Sequence, residues 1–130
     1  MKVLVCGGRK FDREWAVFDA LDGLHKTHHF TQLVHGGAAG ADSLAGKWAR
    51  KNNIDLTVVR ANWLQYGRAA GALRNTEMLK HKPSLVVAFP GGTGTADMVR
   101  KSLRARISVA RVEVLTHVEG DAVTRVTMEK

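Results

Sequence analysis

A single cysteine, Cys6, stands in the 130-residue chain. One thiol excludes an intramolecular disulfide framework and any multi-cysteine zinc site. At the end of an apolar run it reads as a small buried residue. Proline occurs twice, at Pro83 and Pro90, and no stretch is Pro- or Ser-rich, so there is no linker or low-complexity segment. No apolar run approaches the roughly 18 residues of a membrane span. The N-terminal apolar run stops at Gly7, short of the about 7–15 residues of a secretory signal, so a cytoplasmic location and no membrane partner are expected. Aromatic residues make up 6%, few for a surface that stacks a row of bases. Acidic residues are outnumbered, 12 to 20, which leaves a formal charge of +8 and suits a phosphate-bearing or nucleic-acid ligand. Hydrophobic residues at 45% are enough for a globular core, and the length suits one domain over residues 1–130.

What the chain does have is clustered glycine, set in an alternation of strands and helices. Strands are expected at Lys2–Cys6, Thr31–His35, Asp55–Arg60, Ser84–Phe89 and Ser108–Leu115. Helices are expected at Asp12–His25, with Asp12 as N-cap and Trp15, Phe18, Leu21 and Leu24 on its apolar face. Three more are expected at Asp42–Lys51, Ala69–Leu79 and Thr95–Ala105. Ala122–Met128 alternates as an antiparallel edge strand, joined through Glu119-Gly120-Asp121. This order predicts an α/β three-layer sandwich with a mostly parallel sheet and a C-terminal antiparallel edge strand.

Three strands run directly into glycine loops: Gly7-Gly8-Arg9, the segment Gly36-Gly37-Ala38-Ala39-Gly40-Ala41-Asp42, and the segment Pro90-Gly91-Gly92-Thr93-Gly94-Thr95. In a parallel sheet all three lie at the C-terminal edge, where open α/β sheets bind ligands. Glycine lets backbone N–H groups approach a ligand, and the helix that follows offers unsatisfied N–H groups and a positive dipole end. Phosphate is the ligand chemistry this fits. Gly36, Gly37, Gly91, Gly92, Gly94 and Thr95 are expected to cradle it, with Arg9, Arg68 and Arg74 neutralising its charge. Asp42, Asn75 and Asp97 are candidates to face a sugar or base, and His35 ends a strand beside the second loop.

Two nucleotide fingerprints fail. A Walker A motif would need Gly at Ala41 and Ser or Thr at Trp48, and G-x-G-x-x-G from Gly92 finds Asp97 in its last position. His25, His28 and His29 have no acidic or thiol partner nearby, so no metal is expected, and no motif asks for a resident cofactor. Trp15, Phe18 and Trp48 serve either core or interface.

The segments HGGAAGADSLAGKWA, NWLQYGRAAGALRN and LVVAFPGGTGTADM resemble the YspA/YpsA-related branch of the SLOG superfamily, the DprA/Smf–LOG group of Rossmann-like domains. The resemblance runs from Met1 to about Val112. It implies a Rossmann-like fold, a nucleotide or nucleotide-derived ligand, and a homodimer or higher homo-oligomer. LOG relatives are phosphoribohydrolases that cut the base–ribose bond of nucleoside 5′-monophosphates, using the glutamate of P-G-G-x-G-T-x-x-E. Here Pro90 to Thr95 match and the glutamate position holds Met98. Whether the chain is an enzyme therefore stays open, with Asp42 and Asp97 as the candidate catalytic carboxylates for an N-glycosidase. DprA relatives bind single-stranded DNA, and Gly67 to Asn75 resembles their arginine–asparagine element; Trp63 and Tyr66 would be its stacking residues, or would equally stack on the base of a single nucleotide. Binding or sensing of a nucleotide without efficient turnover is the leading expectation.

Overall fold

In the computed structural model, residues 1–116 and 122–130 are described. Six strands form one sheet: β1 (Lys2–Cys6), β2 (Gln32–His35), β3 (Asp55–Val58), β4 (Leu85–Ala88), β5 (Ser108–Thr116) and β6 (Ala122–Glu129). Their spatial order is β3-β2-β1-β4-β5-β6. The first five are parallel, and β6 runs antiparallel to β5 with Val112 opposite Val126. The expected connection at Glu119-Gly120-Asp121 lies outside the described residues.

The helices are α1 (Glu14–His28), α2 (Ala41–Lys51), the single turn α3 (Trp63–Tyr66), α4 (Ala70–Leu79) and α5 (Thr93–Arg104), with a 3-10 turn at Gly67–Ala69. The strands sort their side chains by a period of two, as a sheet covered on both faces requires. Val3, Val5, Leu33, Leu85 and Val87 pack against α1 and α2, around the fully buried Trp48. Leu4, Cys6, Val34, Val86 and Ala88 face the other way, onto Met78 of α4 and Met98 and Val99 of α5. Two apolar layers thus sandwich the sheet. Trp48 also donates from its indole N–H to Asp22 at 2.7 Å, which ties α2 to α1.

The chain lays down β1, β2 and β3 outward in one direction, then crosses back to place β4 on the free side of β1. The switch point lies between β1 and β4. The segment after β1 leads to a helix on one face, and the segment after β4 leads to a helix on the other, so a crevice opens at their C-terminal ends.

Some expectations shift. Helix α1 starts at Glu14, so Asp12 is not its cap: Arg13 holds that place and no side chain caps it. Its buried face is Ala16, Val17, Ala20 and Leu21, while Trp15 is 41% exposed. A strict spacing of three drifts around a 3.6-residue helix, so the four large residues do not share one stripe. Helix α5 begins at Thr93, two residues early, which puts Thr93, Gly94 and Thr95 in its first turn. Strand β3 stops at Val58. His25, in the last turn of α1, accepts from the Phe30 N–H at 2.9 Å and stacks on that ring, a role in closing the helix end.

Candidate functional site

The crevice between the ends of β1 and β4 is a cavity of about 890 Å³. Its wall includes Gly7, Gly8 and Arg9 from the first loop and Asp42 from α2. Arg68, Arg74 and Asn75 come from the 3-10 turn and α4, and the segment from Pro90 to Thr95, with Asp97, completes it. Fourteen of the residues expected from sequence therefore meet in one place: Gly7, Gly8, Arg9, Asp42, Arg68, Arg74, Asn75, Pro90, Gly91, Gly92, Thr93, Gly94, Thr95 and Asp97. Gly36 and Gly37 line a smaller adjoining cavity of about 300 Å³. Gly40 lines neither; its φ of 78° lets the backbone fold against the Gly8 carbonyl, which accepts from the Ala41 N–H at 3.1 Å.

The second and third glycine loops differ in what they leave free. In the loop after β2 the donors are used internally. The Gly36 and Ala38 N–H groups both donate to the Asp42 carboxylate, at 3.0 and 3.2 Å, and the Gly37 N–H donates to His35 Nδ1 at 2.9 Å. In the loop after β4, no side chain caps α5, whose N-cap is Gly92. The first N–H groups of a helix lack intrahelical partners, and Thr93, Gly94 and Thr95 of the α5 first turn line the cavity, with no side chain among the described residues capping them. A β-carbon at Gly92 or Gly94 would meet nothing within 4 Å. These two glycines are not demanded by packing; a side chain there would fill cleft space.

The polar side chains are tightly placed. Arg74 crosses beneath the second loop, donating from Nη1 to the Gly36 carbonyl at 2.6 Å and from Nε to Asn75 Oδ1 at 3.2 Å. Glu77, one turn after Arg74 on α4, pairs instead with Lys80 at 2.8 Å. Asn75 is buried and donates to the Gly94 carbonyl and to Asp97 Oδ2, at 3.1 and 3.0 Å. It pins α4 to the first turn of α5. Asp97 also pairs with Arg100 and Lys101, each at 3.0 Å. Burial pushes its carboxyl up, but the Asn75 and Lys101 hydrogen bonds and the Lys101 and Arg100 charges outweigh that and hold it below the usual range. Asp97 is an ionised, engaged carboxylate.

Asp42 is the opposite case. Burial raises its carboxyl above the usual range, opposed by the Ala38 and Gly36 N–H groups and the Arg74 and Arg9 charges. His35 is driven down to about 4 by burial and by Arg60, Arg50 and Arg74, so it is neutral at pH 7 and accepts at Nδ1. Burial, with the Asp42 charge, pushes the Cys6 thiol up to about 12, so it is no thiolate. Met98, at the LOG glutamate position, is fully buried in the core.

Several lining residues escaped the sequence reading: Lys10, Phe11 and Met78 in the larger cavity, and Arg60 in the smaller. Trp63 lines both, with the Arg9 guanidinium 4.9 Å from its ring centre. Tyr66 lines neither. Arg60 is the last residue of the third strand expected from sequence, and that C-terminal strand end is the signal for its place.

A solved structure of DNA processing protein A from Streptococcus pneumoniae superposes with a TM-score of 0.67 at 17% identity. The match covers 85% of this chain and 49% of that one, so the chain spans about half of that protein. The solved structure of TM1055 superposes with a TM-score of 0.65 at 16% identity, covering 83% of this chain and 71% of that one. At such identities the likeness speaks for the Rossmann-like fold alone. In sequence, the chain is 39% identical over 116 residues to the Gene 61 protein of Mycobacterium phage D29, covering 83% of this chain and 93% of that protein. Residues 1–66, which carry the first two glycine loops, match the model of the YspA, cpYpsA-related SLOG family, and the chain belongs to that family.

Proposed function

We propose that the cleft binds a nucleotide or nucleotide-derived ligand, and that the protein acts by binding it rather than by efficient turnover. The observation that carries this is the uncapped first turn of α5, opened by Gly92, set in one cavity with Arg9, Arg68 and Arg74. Unsatisfied helix N–H groups and guanidinium groups together select a phosphoryl group. A cavity of this size suits a small ligand with a sugar and base. Trp63 is the aromatic surface on which a base would stack.

Two facts favour binding over hydrolysis. The LOG glutamate position is a core methionine, and Asp97 is saturated by Asn75, Arg100 and Lys101. A second reading, a nucleoside 5′-monophosphate N-glycosidase, rests on Asp42, a buried cleft carboxyl with a raised proton affinity. A third, single-stranded DNA binding, has Trp63 as the sole aromatic that lines both cavities among the described residues.

The test is incubation with nucleoside monophosphates, cyclic dinucleotides, NAD and ADP-ribose, followed by ultrafiltration and mass spectrometry of both fractions. Retention of an intact nucleotide, lost in Arg74→Ala, is expected. Release of free base, abolished in Asp42→Asn, would replace this reading with the glycosidase. Retention of none, together with oligonucleotide binding that falls steeply with salt, would replace it with strand binding.

A further inference from the structure

The smaller cavity is lined by Arg9, Gly36, Gly37, Arg60, Trp63 and Arg74, among others, and it shares Arg9, Ala38, Trp63 and Arg74 with the larger one. The two are compartments of one cleft, separated by a wall that carries two arginines. Arg60 donates to the Gly37 carbonyl at 3.3 Å, just as Arg74 donates to that of Gly36. Backbone carbonyls thus hold both guanidinium groups in place without neutralising them.

The charge of the cleft is unbalanced. Among the described residues, Arg9, Arg60, Arg68 and Arg74 have no carboxylate within salt-bridge distance. Two carboxylates line the larger cavity, Asp42 and Asp97, and Asp97 is already offset by Arg100 and Lys101. Four arginines therefore face one carboxylate that no cation pairs, Asp42, and its Oδ2 already accepts from the Gly36 and Ala38 N–H groups. One phosphoryl group at the α5 N-terminus would leave Arg60 and the shared wall unmatched.

We propose that the smaller cavity is a second anion subsite, and that the ligand is a nucleotide carrying a second phosphoryl group, which reaches Arg60 across the Arg9–Arg74 wall. The proposal rests on the nucleotide-binding reading above and deepens it. A DNA strand would also bring several phosphates. Strand binding, however, is built on successive aromatic platforms, and here the aromatic lining among the described residues is Trp63 and a Phe11 whose ring packs on Phe89.

The experiment is equilibrium binding by calorimetry, at fixed ionic strength, of matched 5′-mono- and 5′-diphosphates of adenosine, cytidine, guanosine and uridine. ADP-ribose and a short oligothymidylate are run alongside. Arg60 is exposed, so Arg60→Ala is expected to fold, and circular dichroism checks that it does. The wild type is expected to prefer the diphosphate or ADP-ribose over the best monophosphate by about tenfold or more, the scale of one charge-assisted contact. In Arg60→Ala that preference falls to about one.

Equal affinities for mono- and diphosphates, unchanged by Arg60→Ala, would overturn the second subsite and leave the first standing. Equal weakening of both ligands by the substitution would overturn it too, making Arg60 part of a general field. Binding of the oligonucleotide alone would overturn both this proposal and the reading on which it rests.

Discussion

A side chain at position 36 would land on the Arg74 guanidinium, which lies against that backbone and donates to its carbonyl. Gly36→Ala is therefore expected to displace the flexible end of Arg74, with a stability loss limited to its hydrogen bonds to the Gly36 carbonyl and Asn75, about 0.5–1.5 kcal/mol each. Urea denaturation reads the stability, and nucleotide retention reads the displaced arginine. The neighbouring His35 makes a pH prediction. Its proton affinity falls from the ordinary 6.5 to about 4 on folding, so between those values the unfolded chain binds more protons. Its contribution to stability is complete above about pH 6.5 and is lost as the pH falls toward about 4. Asp42 acts in the opposite sense: its raised carboxyl favours the folded state at low pH, and that benefit fades as the pH rises through its folded value. His35→Asn keeps an acceptor and removes the titration. The slope of unfolding free energy against pH between about 4 and 6.5 should therefore be less positive in the variant than in the wild type, and an unchanged slope would contradict the assignment. At this scale the sequence was only partly legible. The glycines and arginines could be picked out because few other residues suit those loops. The internal duties of Asp42 and Asn75 could not, because a carboxylate or amide that serves backbone N–H groups looks in sequence like one that serves a ligand.

Helix α5 separates stability from function. Gly94 lies in its first turn with open space beside it, so Gly94→Ala meets no steric objection. Alanine is the better helix former by up to about 1 kcal/mol, with the smaller end of that range expected near a helix start. The variant should be slightly more stable in thermal unfolding yet bind nucleotide more weakly, since its methyl group occupies the cleft. A loss of both stability and binding would make Gly94 a packing residue instead. The strand starts, the parallel alternation and the glycine loops were all readable, since Val-rich runs and Gly clusters have few other uses. The rotation of α1 was not. Its large residues repeat every third position, while its fully buried face is Ala16, Val17, Ala20 and Leu21, of which Leu21 alone belongs to that series. The turn α3, which brings Trp63 to the cleft, was also missed; four residues have no period to read.

Across the whole molecule, the described lining of both cavities stops at Asp97. The hairpin partner β6 instead covers the edge of β5, held by eight paired positions and by the Arg125–Glu113 and Arg111–Glu129 ion pairs. Thr124 also donates to Asp19 of α1 at 2.8 Å. Removing residues 117–130 should therefore lower stability and promote association through the bared edge of β5. Nucleotide affinity of whatever monomer remains should be retained, as size-exclusion chromatography and calorimetry would show. Binding lost in a folded, monomeric truncation would tie the last strand to the site.

The central claim is that the first turn of α5 receives a phosphoryl group. An amide-resolved NMR titration of the full chain with the nucleotide retained most strongly tests it directly. The account predicts saturable shifts at the amides of Gly92, Thr93, Gly94 and Thr95, with one affinity shared by all four. Shifts confined to other basic surfaces, with these four amides unmoved, would contradict it.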